Sequence, residues 1–321
     1  MASQEQVWVT DTLGGYSNCP KLDKKLWEFS KPLMRFRQFC NIKSDAGKHQ
    51  GDTAYFDKIS KLTTAGGTLV ETATIPRSNF ILGRGTAIVN EWGNSVPFTE
   101  KLATLANFDI DNAVHRTLLE DEAETLDKAA AAQFQNTKAK YVCYAAATGY
   151  LTTNGTATYT STSNLNYYHI KKVCDQLRKW NVKPYDNQGN YVCIGSVDAI
   201  GGVKDSTHWI DAYHYAKPEQ LFTNEAGKLY GCRFVEETNV LSNTKGGSYG
   251  EAVIFGKDAV QEIVVTPPEV RRDPAKDFGR SKMVAWYGLM AWKIIWCGDN
   301  TGDSVDATKG WAPHIIHVTS A

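Results

Sequence analysis

Four kinds of residue in this 321-residue chain stand at spacings that chemistry could use. His208 and His214 are six positions apart and His314 and His317 three apart, as imidazoles that bind zinc or move protons often are. Neither pair has the His-Glu-x-x-His pattern that sets two imidazoles and a general base on one helical face, so packing or surface roles are expected. Gly83-Arg84-Gly85 approaches a phosphate-cradling loop. A true one needs Gly-Lys-Ser/Thr opening a helix, whereas this triplet runs into the strand-like TAIVNEW. It therefore reads as a turn or bulge, with Arg84 available for a contact with another subunit. The carboxylates of LLEDEAETLD, residues 118–127, have the density of a metal cluster, but at helical spacing they read as the solvated face of an amphipathic helix.

Covalent catalysis has no support in the sequence. No Gly-x-Ser-x-Gly elbow occurs, and none of Cys19, Cys40, Cys143, Cys174, Cys193, Cys232 and Cys297 stands in a nucleophile or Cys-x-x-Cys signature. An odd number of thiols cannot close into a complete intrachain disulfide set, so free and mostly buried cysteines in a reducing compartment are expected. Asn154-Gly155-Thr156 is a glycosylation sequon, but MASQEQVWVTDTLGG has neither the basic nor the apolar region of a secretory signal. The triplet is read as a turn and the cytoplasm as the place of synthesis. Arg271-Arg272-Asp273-Pro274 with Phe278-Gly279-Arg280 reads as a loop of alternating charge, whose arginines suit charge-assisted bonds to carboxylates of another subunit. A cytosolic α+β enzyme would have to assemble its site from scattered residues such as His208, Asp211 and His214. No motif implies a cofactor or a bound metal.

The elements that must position these residues change character along the chain. Residues 1–45 read as an arm whose Trp27, Phe29, Phe36 and Phe39 need a surface to pack on. Residues 46–97 are rich in Gly, Thr and β-branched types, and alternation over 53–59 and 80–92 predicts two strands of a long hairpin with a loose tip and no thick apolar face of its own. From Asp109 to about Thr137 the apolar positions Ile110, Val114, Leu118, Leu119, Ala123, Leu126, Ala130 and Phe134 recur every three to four residues, predicting a helix on the order of 40 Å long. A second amphipathic helix follows Ser163 and Asn164, strands are expected at 191–197, 230–236, 252–255 and 261–266, and a helical stretch at THWIDAYHYAKPEQLF. The last run, KMVAWYGLMAWKIIW, alternates as a long strand. The class is α+β.

Thirty-five basic against thirty-five acidic residues give zero net charge, which excludes a protein whose whole surface is an electrostatic partner of nucleic acid or of an acidic membrane. No stretch approaches the ~20 apolar residues of a membrane span. With nine Trp, fifteen Tyr and twelve Phe the chain folds, and balanced charge removes the repulsion that keeps subunits apart.

Several stretches, ETATIPRSNF, NEWGNSVPFTEKLATL, TLDKAAAAQF, HIKKVCDQLRKWNVKPYDNQGNYVCIGSVDAI, YGCRFVEETNV, EAVIFGKDAV and DPAKDFGRSKMVAWYGLMAWKII, resemble in order and spacing the major capsid proteins of tailed bacteriophages with the Hong Kong 97-type fold. The resemblance covers roughly residues 45–300. It departs at Asp273-Pro-Ala-Lys-Asp-Phe-Gly-Arg, where the family commonly reads Asp-Pro-Leu-Gly-Gln-Arg-Gly. It implies an N-terminal arm (1–45), an extended loop (46–97), a peripheral domain with the spine helix (98–150 and 251–321) and an axial domain (151–250). It further implies a non-enzymatic shell subunit of the virion, assembled in the host cytoplasm into hexamers and pentamers. Its partners would be portal and scaffolding proteins, a decoration protein and nonspecifically contacted double-stranded DNA, with no membrane. Arg84, Trp92, Arg271, Arg272, Asp273 and Arg280 are the expected intersubunit contacts. An encapsulin-like compartment shares the fold and would enclose protein cargo instead.

Overall fold

The computed structural model describes residues 31–43, 51–72, 74–106, 109–206, 227–241, 250–274, 277–295 and 310–320. In chain order the elements are β1 (Asn41–Lys43), β2 (Thr53–Ile59), β3 (Leu82–Ile88), β4 (Asn90–Thr99), α1 (Glu100–Leu105), α2 (Ile110–Gln135), β5 (Lys140–Ala145) and β6 (Thr148–Thr152). They continue with α3 (Tyr167–Lys179), β7 (Tyr191–Gly195), α4 (Val197–Lys204), β8 (Lys228–Leu229), β9 (Cys232–Glu236), β10 (Gly250–Phe255), β11 (Val260–Arg272), β12 (Ser281–Ile294) and β13 (Ile315–Ser320). The helical stretch expected at THWIDAYHYAKPEQLF, and with it His208, Asp211 and His214, lies outside the described residues.

The spine helix α2 forms where the 3.6-residue period placed it. Asp109 caps it through Oδ1, which accepts the Asn112 N–H at 3.3 Å, and an alanine run at 129–132 carries it to its end with no β-branched side chain to crowd the turns. Leu118, Leu126, Ala130, Ala131 and Phe134 bury its inner face. That face covers one side of a four-stranded sheet of order β1-β11-β12-β4, into which β12 projects Val284, Trp286, Met290, Trp292 and Ile294 at alternate positions. Leu119, counted in the apolar row, points outward and is half exposed.

The acidic run on α2 is not a solvated face. Asp127 is buried and accepts the Arg37 backbone N–H (3.0 Å) and the Asn239 amide (3.3 Å), and Asp121 accepts the Trp286 indole (2.8 Å) and the Asn94 amide (3.0 Å). These carboxylates accept from donors of the arm, the sheet and the segment after β9, and the bonds to Asp127 compensate its burial. The described end of the arm is thereby anchored on its own chain. Phe36 is fully buried against Phe134 (centroids 5.4 Å), and the Arg37 guanidinium pairs with buried Glu262 at 2.9–3.0 Å. Arg37→Met leaves that carboxylate without its counter-charge and is expected to cost about 2–3 kcal/mol at pH 7, less than a fully buried pair because Arg37 is one-third exposed. Urea unfolding at pH 7 checks this, and equal midpoints for variant and parent would contradict it.

A seven-stranded sheet of order β6-β5-β13-β10-β7-β9-β8 carries the second core, in which α3 and α4 pack on strands β7, β10 and β13. The β7 run is buried at every position, as a central strand covered on both faces must be. Strand β10 pairs with β7 on one side and β13 on the other, so the expected boundary near residue 250 falls between paired strands of one sheet. Three expectations shift at their edges. The α3 cap is Asn166, whose Oδ1 accepts the N–H groups of Tyr168 and His169, rather than Ser163 or Asn164. Arg271 and Arg272 are the last residues of strand β11, not loop, because β12 pairs with them in register. The second hairpin strand ends at Ile88, and the residues through Trp92 belong to β4, which pairs with β12 in the body.

Candidate intersubunit surfaces

The hairpin is built from β2 and β3 in unbroken antiparallel register, Thr53 opposite Ile88 through Ile59 opposite Leu82. Gly83 and Gly85 are ordinary strand positions within it, so the Gly-Arg-Gly triplet is neither turn nor bulge. Gly83 is required for another reason: a Cβ there would meet Trp311 Cη2 at 2.6 Å, so its absence lets the hairpin lie against that indole. At the root, Phe56 and Ala87 pack on Ile263 and Ala291 of the four-stranded sheet. Among the described residues the outer face of the hairpin and its tip have little cover. Tyr55, Ile59, Leu62, Leu69, Val70, Ile75, Phe80, Ile81, Leu82 and Ile88 are all exposed, most by more than half of their surface. A row of large apolar side chains this long marks an interaction surface, since isolated exposed residues are common and a continuous set is not.

Arg84 stands directly across from Asp57, and its guanidinium makes a two-point contact to that carboxylate at 2.7 and 3.2 Å while lying over the Tyr55 ring at 5.2 Å. The hydrogen bond and the cation together hold Asp57 below the usual carboxylate range. Both groups are exposed, so the pair orients the hairpin face rather than stabilising the fold.

Arg271, Arg272, Asp273 and Arg280 gather at one end of the four-stranded sheet. Arg271 pairs with Glu269 at 2.6 Å and stacks on Tyr287 at 4.4 Å, and Arg272 meets His115 Nε2 at 3.0 Å and Asp111 at 3.7 Å. The Asp273 N–H donates to the Met283 carbonyl (3.1 Å), closing the strand end. The chain then turns through Asp277, Phe278 and Gly279, all at positive φ (51°, 53° and 93°), a conformation strained for a phenylalanine. Phe278 is exposed to its full extent. Arg280, itself largely exposed, steadies the turn by an ion pair to Asp277 at 3.4 Å. Trp92 lies elsewhere: half-buried, it donates its indole N–H to the Met290 carbonyl (3.1 Å) and packs edge-on against Trp292 (5.5 Å) within its own chain.

Chemistry of other kinds is poorly supplied. Among the described residues no group of three or more His, Cys, Asp or Glu side chains is placed to hold a metal, and the described cysteines are free. Burial pushes the Cys143 and Cys232 thiols well above their ordinary range, which suppresses the thiolate a nucleophile needs.

Over its length this architecture is similar to chains in three solved assemblies. They are the acidic stable capsid of Helicobacter pylori bacteriophage KHP30 (12% identity, 100% of both chains, TM-score 0.72), the head of Helicobacter pylori bacteriophage KHP40 (12%, 99% of both, 0.73) and the capsid of cyanophage Pam1 (15%, 100% of both, 0.67). The chain has the fold of a bacteriophage capsid subunit. No family model matches it, and neither does any curated protein sequence. At such low identity the capsid fold is preserved by pattern, long amphipathic helix over long alternating strand, rather than by particular residues.

Within this α+β, Hong Kong 97-type capsid fold, Arg271, Arg272, Asp273 and Arg280 form one cluster, Arg84 sits apart on the hairpin, and Trp92 packs inside the body. The sequence places Phe278 in the charged loop but gives no reason to count it among the contacts. Its only local signal was an aromatic residue between Asp277 and Gly279, a turn-forming setting that gives an aromatic nothing to pack against.

Proposed function

We propose that the protein is the major capsid protein of a tailed bacteriophage, a non-enzymatic subunit that self-assembles into the icosahedral head shell enclosing double-stranded DNA. The observation that carries this reading is the hairpin: a segment with an ordered root and a long apolar exterior gains a core only by lying across another copy. Heterologous contacts within hexamers and pentamers close into rings, and the hairpin and the arm (1–45) join neighbouring subunits. The extended loop is residues 46–97. Residues 98–150, with the spine helix, and 251–321 form the peripheral domain and residues 151–250 the axial one, the seven-stranded sheet being shared between them. Arg84, Phe278 and Arg280 present their exposed groups to neighbours. Portal and scaffolding proteins, a decoration protein and nonspecifically contacted DNA are the further partners, in a virion assembled in the host cytoplasm. Among the described residues no helix is long and apolar enough to cross a membrane.

Light scattering and electron microscopy of the purified full-length protein provide the test. Megadalton shells, or ring-sized oligomers that convert to shells, are expected. A monomer or dimer that persists at high concentration under assembly conditions would defeat the proposal, and native particles filled with protein cargo and devoid of DNA would assign the chain to an encapsulin-like compartment.

A further inference from the structure

Beside the hairpin root lies a cavity of about 460 Å³ whose rim carries Lys61, Lys179, Lys183 and Lys257. The four come from three separate segments: the chain leaving β2, the C-terminal end of α3 with its following turn, and the turn between β10 and β11. Their convergence is built into the backbone. The Lys257 N–H donates to the Lys183 carbonyl at 2.9 Å, and this approach is possible because residue 256 is glycine, where a Cβ would stand 2.4 Å from that carbonyl and 2.6 Å from Val182. The Lys61 stem passes over Gly310, its Cδ 3.4 Å from where a Cβ would stand.

All four lysines are exposed, and among the described residues none has a carboxylate partner. The one acid on the rim, Asp258, accepts the Asn41 amide at 3.2 Å. His314 adds no charge at neutral pH. Its Nδ1 donates to the Lys257 carbonyl at 2.9 Å, and burial, with Lys58 and Lys183 contributing, pushes it down to about 4. In a chain of zero net charge, four ammonium groups facing one cleft repel one another, and a multivalent anion relieves that repulsion. Lysine amines act as mobile point charges, which suits the distributed charge of linked phosphates.

We propose that this cavity binds phosphate groups, those of a free oligophosphate or of a nucleic-acid strand, and that the bound anion ties the hairpin root to the end of α3 and the β10–β11 turn. A cavity of about 460 Å³ cannot enclose a duplex, so a strand offers it one or two backbone phosphates only. Binding brings three segments under one ligand, and the amides near Ile59 exchange more slowly when it is present.

The test is calorimetric titration of the full-length protein at low ionic strength with tripolyphosphate and, separately, with a single-stranded tetranucleotide. Saturable binding at one site per chain is expected, weakened about tenfold or more in Lys183→Gln/Lys257→Gln and unchanged in Lys101→Gln, an exposed lysine on α1. Hydrogen exchange on the bound protein should show added protection at the hairpin root, and circular dichroism checks that the variants are folded. Tripolyphosphate binding alone assigns the site to free oligophosphate, and tetranucleotide binding with the same lysine dependence assigns it to a strand. Non-saturable uptake overturns the proposal, as does equal affinity in the double variant or equal affinity for a tetraglutamate peptide.

Discussion

Replacing residues 60–81 by Asn-Gly is expected to abolish shell formation and to leave the body folded. Ile59 and Leu82 are directly opposite in the ladder, so a two-residue turn of this type closes the shortened hairpin without disturbing its register. The root contacts of Phe56 and Ala87 with Ile263 and Ala291 are retained. What disappears is the exposed set Leu62, Leu69, Val70, Ile75, Phe80 and Ile81. Burying six such side chains against a neighbour is worth on the order of 6 kcal/mol or more per contact, about four orders of magnitude in its equilibrium constant. Sedimentation of parent and variant under assembly conditions reads the result directly. Shells from the shortened chain would mean that the hairpin is not the joining element, and a globally unfolded product would mean that its tip belongs to the core.

Acidification from pH 7.5 to 5.5 is expected to destabilise the chain by more than carboxylate titration alone would. His169 and His317 are buried, and burial pushes them down to about 4 and about 3, with Lys140 adding to the effect at His317. Their folded-state values lie below the unfolded value of about 6.5, so the stability they carry is complete above that value and is lost as pH falls through it, because the unfolded chain takes up the protons first. Each costs about 1.4 kcal/mol by pH 5.5, about 3 kcal/mol for the pair, a large share of the stability of an ordinary domain. His314, held down in the same way but more accessible, adds to this. Glu122 and Glu237 are held above the usual carboxylate range and act in the opposite sense, at lower pH. Urea midpoints measured across this range should fall steadily and fall less in His317→Gln. A flat profile between pH 7.5 and 5.5 would contradict the burial of these imidazoles.

What could be read from the sequence divides along physical lines. The spine helix and β12 were legible because each buries one face, and burial imposes a period of 3.6 or of 2 on the chain itself. The hairpin was legible as a segment without a core. Its length was not: Trp92 alternates as well in a hairpin as in β4, and only the pairing of β4 with β12, Gly288 opposite Trp92, decides between them. The acidic run was misread because the donors that bury Asp127 and Asp121 come from Arg37, Asn239, Asn94 and Trp286, distant in sequence and without a local signature. The lysine cavity was unreadable for the same reason, its members being scattered from residue 61 to residue 257. The expected contacts were chosen by residue type, which does not reveal that Arg271 is matched to Glu269 and Tyr287 and Arg280 to Asp277 within the chain.

Strand β11 is long, and among the described residues β1 covers its outer edge only at Gln261, Glu262 and Ile263. Beyond that pairing, Pro267 and Pro268, which have no N–H to donate, and the register slips between Val264 and Glu269 interrupt the ladder that the strand would otherwise offer to another strand. Gly288 on β12 leaves the room these prolines need, its missing Cβ lying 3.2 Å from Pro268 Cα. If the chain assembles with many copies of itself as proposed, this blunted edge acts as a safeguard against fibrils: it closes the indiscriminate route of association and leaves open the one directed by side chains.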